Sequence, residues 1–112
     1  MENPWAGEVI LTLDGVPHVL KLTLGALAEL EATLKEDSLM ALIERFETQS
    51  FSSADVMRLL VAGLRGGGWS GTDVDFLTVE IEGGPLGAAR VAALLLARAF
   101  MMPEGQNGGA DG

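Results

Sequence analysis

The stretch Glu8-Val-Ile-Leu-Thr-Leu13, Asp14-Gly15, Val16-Pro-His-Val-Leu-Lys-Leu22 decides the architecture of the chain. Two runs of strand-forming residues flank a dipeptide suited to the positive φ angles of a two-residue type I′ turn, the strongest short-range signal for a β-hairpin. With Asp14 and Gly15 as the loop, paired positions sum to 29. Val9 then stands opposite Leu20, Leu11 opposite His18 and Leu13 opposite Val16 on one face, while Glu8 faces Lys21 on the other as an opposite-charge pair. Pro17 falls opposite Thr12, where its missing N–H would point away from the partner strand and costs no ladder bond. Val9, Leu11, Leu13, Leu20 and Leu22 are therefore expected to face a helical layer.

Beyond Leu22 the apolar period changes from 2 to 3.6. Thr23 is placed to cap a helix with Leu27, Leu30 and Leu34 on one face. Asp37 or Ser38 opens a second, with Leu39, Leu42, Ile43 and Phe46 at i, i+3, i+4, i+7. Ser52 and Asp55 form a capping-box pattern ahead of Val56, Leu59, Leu60 and Leu64. Thr72 caps a fourth candidate helix carrying Val74, Leu77 and Ile81, although Leu77-Thr-Val-Glu-Ile-Glu82 also alternates as a strand does. Pro85 in a first turn starts the longest helix, which runs to about Met102. The expected fold is α+β: an N-terminal β-hairpin packed on a bundle of about five helices.

The last helix is apolar nearly all round. At about 100° per residue, Ala89, Ala92, Ala93, Leu95, Leu96, Ala99 and Phe100 cover the inward side, and the outward sector holds Arg90 and Arg98 with Leu94 and Met101 between them. This pattern fits first a central core helix, and as the sharper alternative a docking surface built on Arg90, Leu94, Arg98 and Met101 with Trp69 as a neighbour. Trp69 and Trp5 are candidate partner anchors or lids folded back on the core.

Glycine punctuates the chain, since 15 of 112 residues is about twice the usual share of roughly 7%. Gly66, Gly67, Gly68 and Gly71, and then Gly83, Gly84 and Gly87, read as loops between helices. The segment 103–112 has too little apolar content to pack and is expected to be a disordered tail after a single domain spanning 1–102.

Composition excludes several function classes. Seven Lys and Arg against sixteen Asp and Glu give a net charge of −9, and the seven cations are scattered, so no nucleic-acid surface is expected. There is no cysteine and one histidine, which removes disulfides, thiolate chemistry and multi-histidine metal sites and fits a cytoplasmic protein. The start of the chain lacks the features of a secretory signal, and the longest strongly apolar run, Val91 to Ala97, is far shorter than the roughly 20 residues of a membrane span. Yet 48% of residues are hydrophobic and the mean hydropathy is +0.32, high for a small acidic protein, which suggests apolar surface reserved for a partner.

Catalytic patterns fail on context. Gly66-Gly-Gly-Trp-Ser-Gly71 fits G-x-G-x-x-G but follows a helix rather than a strand, so it reads as a flexible loop, and no Gly-Lys-Ser/Thr occurs. His18 sits on the apolar face of the hairpin, where a structural role is expected. The pairs Asp73 and Asp75, Glu29 and Glu31, and Glu44 and Glu47 read as solvated helix faces. No catalytic, metal or cofactor residue is expected.

Four stretches carry a family likeness: Pro4-Trp-Ala-Gly-Glu8, Lys21-Leu-Thr-Leu-Gly-Ala-Leu-Ala-Glu-Leu-Glu31, Leu64-Arg-Gly-Gly-Gly-Trp69 and Leu94-Leu-Leu-Ala-Arg-Ala-Phe100. Together they resemble the small gene transfer agent proteins of alphaproteobacteria that are related to phage tail assembly chaperones. The resemblance implies a cytoplasmic, non-enzymatic protein that covers the tape-measure protein of a phage-like tail until tube subunits polymerise around it. Two other classes stay open: a structural tail or connector component retained in the particle, and an acidic inhibitor that imitates nucleic acid. A second copy of the chain is a further candidate partner.

Overall fold

The computed structural model describes residues 7–34 and 38–100, the side chains at 73 and 74 aside. Strands β1 (Val9–Leu13) and β2 (Val16–Leu20) pair antiparallel with Val9 opposite Leu20, Leu11 opposite His18 and Leu13 opposite Val16. Asp14 and Gly15 hold φ angles of 51° and 81°, the left-handed values that a type I′ turn demands. The register buries Val9, Leu11, Leu13, Leu20 and Leu22, as the alternation requires.

Side-chain caps fix where the helices begin. The Thr23 hydroxyl accepts the Ala26 N–H at 3.0 Å and opens α1 (Leu24–Leu34). Ser38, of the two candidates, caps α2 (Leu39–Glu47), and Ser52 and Asp55 exchange bonds as a capping box at the start of α3 (Ser53–Gly66). Each cap satisfies an amide that the helix leaves orphaned and is worth about 1 kcal/mol.

The centre of the bundle is α3, not the last helix. Its residues Leu59 to Leu64 are all buried, because α1, α5 (Gly84–Phe100) and β2 pack around them. Among the described residues eight large side chains are fully enclosed, all of them leucine: Leu11, Leu20, Leu30, Leu42, Leu59, Leu60, Leu64 and Leu95. Each contributes about 2 kcal/mol through removal from water.

Of the first glycine cluster, Gly68 and Gly71 lie in the loop between α3 and the next helix, as expected, whereas Gly66 and Gly67, with Gly63 before them, are a packing device. Gly63, Gly66 and Gly67 line one face of the end of α3, and there the helix backbone lies directly on the end of β2. A Cβ at Gly66 would strike the Lys21 carbonyl oxygen, and one at Gly67 the Val19 carbonyl oxygen. The contact is sealed by the Lys21 N–H, which donates to the Gly63 carbonyl at 2.9 Å.

Residues 72–82 divide between the two expectations. Thr72 and Asp75 form a capping box, but α4 is only Asp73–Leu77. Beyond it the chain runs along the outer edge of β1: Asp14 N–H donates to the Glu80 carbonyl at 2.8 Å, Glu82 N–H donates to the Thr12 carbonyl at 3.1 Å, and Ile81 bridges Leu13. Ile81 thus belongs to a strand-like segment, and Leu77 is exposed rather than inward. The unpaired edge of β1 offered hydrogen bonds that a longer helix would have forgone.

On α5 the inward stripe is Ala88, Ala92, Leu95 and Leu96. Ala93 and Phe100, expected inside, lie on the exposed side. A helix that is apolar nearly all round does not encode its own inward direction; here α3 and β1 set it. The expected tail over 103–112, Trp5 and Met101 lie outside the described residues.

Candidate functional site

Of the four expected docking residues that are described, two are exposed and two are engaged within the fold. Trp69 follows the cap of α3, with its N–H donating to the Leu64 carbonyl at 2.9 Å. Its half-buried ring meets Phe76 edge-on at 6.3 Å between centroids, so it is a lid over the core. Arg98 is half-buried and its Nη1 donates to the Glu8 carbonyl at 2.6 Å, tying α5 to the start of β1. Arg90 is exposed and Leu94 is 39% exposed, which leaves these two on the surface. Met101 falls outside the described residues. His18 is half-buried on β2 opposite Leu11.

Apolar surface gathers instead on the neighbouring side of α5, in two grooves. One is lined by Met40, Ile43, Phe46 and Glu47 of α2 and by Ala93, Leu96, Ala97 and Phe100 of α5, and measures about 350 Å³. Met40 is 70% exposed and Phe100 44%, so large side chains on both walls meet solvent. The other, of about 670 Å³, lies along the first half of α5, where Leu86 and Ala89 face Met57 of α3 and the exposed Leu77. Phe46 of the first groove and Phe51 of the second stack at 4.5 Å with planes 8° apart. The sequence does not announce this surface, because the α2 pattern of Leu39, Leu42, Ile43 and Phe46 reads as a core stripe. Met40, one residue off that stripe, was the available signal.

The wall formed by α2 is held by a buried charge. Asp55, 3% exposed, accepts Arg45 Nε on Oδ2 at 2.8 Å and Arg45 Nη2 on Oδ1 at 2.9 Å, with Arg58 Nη1 3.5 Å away. Burial pushes the Asp55 carboxyl up. The Arg45 hydrogen bond, the Ser52 N–H and the Arg45 charge together outweigh burial and hold it below its ordinary value.

Among the described residues no group of three or more His, Asp or Glu could hold a metal ion, and no helix is long and apolar enough to cross a membrane. What the fold presents is a hairpin-on-bundle domain with large apolar side chains left uncovered beside α5. Residues 6–102 match the model of the family described as phage tail tube protein, GTA-gp10, and the chain belongs to that family. Its role therefore lies in the structure or assembly of a phage or gene transfer agent tail, with partners within such a tail. No curated protein and no solved structure matches the chain.

Proposed function

We propose that the protein is a tail assembly chaperone, which binds the tape-measure protein of a phage-like tail and keeps it soluble until tube subunits polymerise around it. The reading rests above all on the uncovered apolar surface beside α5, with Met40, Leu77, Leu86 and Phe100 at its margins. A long helical tape-measure chain carries apolar stripes that aggregate when exposed; such stripes fit grooves of this kind. The net charge of −9 then keeps the joint complex dispersed. The protein acts in the cytoplasm, without catalysis, metal or cofactor, and binds neither nucleic acid nor membrane.

Purified particles test this. A chaperone is abundant in lysates of assembling cells and missing from mature particles. The family's description as a tail tube protein favours a second reading, a structural component retained in the tail. That reading requires the chain in mature particles at fixed stoichiometry, a result that would replace the first.

A further inference from the structure

We infer that the α2–α5 groove receives a partner helix about two turns long whose apolar stripe is flanked, on the side meeting α2, by lysine or arginine. The partner's identity rests on the chaperone reading; the shape and charge of the occupant rest on the groove itself.

Length follows from the α2 wall. From Met40 to Glu47 a helix rises about 10 Å, or two turns, which accommodates anchors at i, i+3 or i+4, and i+7. The floor and walls from Ile43, Phe46, Ala93 and Leu96 are apolar, so those anchors are aliphatic or aromatic.

Charge selects among occupants. Glu47 lines the groove, and Glu44, four residues after Met40, extends the same exposed rim. Neither makes an ion pair with another described residue. A second copy of this chain would bring its own Glu44 and Glu47 and a further −9 against them. The segment 103–112 carries Glu104 and Asp111 and no cation, so it too is repelled. A cationic flank is attracted, and it both steers encounter and fixes orientation. Arg90, exposed three residues before Ala93 on α5, is not among the residues that line the groove, so the charge in the lining is that of Glu47. The groove at the first half of α5 has no charged residue in its lining and makes no such selection.

The test uses the full chain and two synthetic helical peptides sharing one leucine stripe, flanked by lysine in one and glutamate in the other, with binding read by fluorescence anisotropy. The lysine peptide should bind at least about tenfold more tightly. The double variant M40E/A93E, at exposed positions, should lose that binding while keeping its circular dichroism spectrum. L24E, on the 84% exposed Leu24 of α1, should bind as the parent does. The variant E44K/E47K should prefer the glutamate peptide, and this arm decides should M40E/A93E fail to fold. Equal affinity for both peptides, undiminished binding by M40E/A93E, an equal loss in L24E, or an unchanged preference in E44K/E47K would each overturn the inference. Failure of the chaperone reading looks different: the tape-measure protein would not co-purify with a chain that still takes the lysine peptide.

Discussion

Arg45 and Asp55 join α2 to α3 through a two-pronged ion pair, with both contacts at 2.8–2.9 Å, and the Asp55 Oδ2 that meets Arg45 Nε also accepts the Ser52 N–H at 3.0 Å. One carboxylate therefore caps α3 and positions α2. Beside it the Phe46–Phe51 stack closes the same turn. The wall of the apolar groove depends on this pair, because Leu42 is the one side chain of α2 that is fully buried.

Acid should loosen that wall. The folded-state value of Asp55 is depressed, so its contribution to stability is complete above the unfolded value of about 3.9 and disappears as pH falls through the lower folded value. Thermal melts taken from pH 7 down to pH 2 should show a decline in Tm beginning near pH 4. Asp55→Asn should be less stable at neutral pH and show a smaller decline. An identical pH profile in the variant would deny Asp55 this role.

Arg45→Met should cost about 2 kcal/mol in denaturant unfolding. Loss of one partner of a fully buried pair costs about 3–5 kcal/mol, and here Arg45 is partly exposed and Arg58 remains 3.5 Å from the carboxylate. A change below about 0.5 kcal/mol would mean that the pair is no stronger than a surface salt bridge.

Gly67→Ala should destabilise the fold by about 3 kcal/mol, since its Cβ has to push α3 away from the Val19 carbonyl. Gly25→Ala on α1, where nothing crowds the new methyl, should be neutral or stabilise by about 0.5 kcal/mol. Chemical denaturation of both variants reads the contrast, and equal effects would contradict close helix–strand packing.

The sequence was most legible where local chemistry is strict. Asp14-Gly15 dictates the turn, the turn dictates the register, and Thr23, Ser38 and Ser52 mark helix starts by hydrogen bonds to amides a few residues away. It was least legible where a distant element decides. The helix pattern through Ile81 gave way to the β1 edge, and Phe100 turned outward because α3 and β1 chose the inward stripe of α5. Gly66 and Gly67 read as part of a loop, although with Gly63 their i, i+3, i+4 spacing is the mark of a helix face in close contact. Within the expected docking sector the same distant elements intervene: Arg90 and Leu94 are exposed, while Arg98 bonds the Glu8 carbonyl and Trp69 packs on Phe76.

His18→Leu should change stability by less than about 1 kcal/mol, because the half-buried imidazole is replaced by a similar apolar volume opposite Leu11. Partner capture should be unaffected. A folded variant that no longer supports tail assembly would give the histidine a chemical role.

Co-expression of the full chain with the tape-measure protein of its own tail tests the central claim most directly, with the soluble fraction of the tape measure and its co-purification as readouts. The account predicts that the tape measure is soluble and captured when the chain is present and aggregates when it is absent. A tape measure equally soluble without the chain, and not retained by it on purification, would contradict the account.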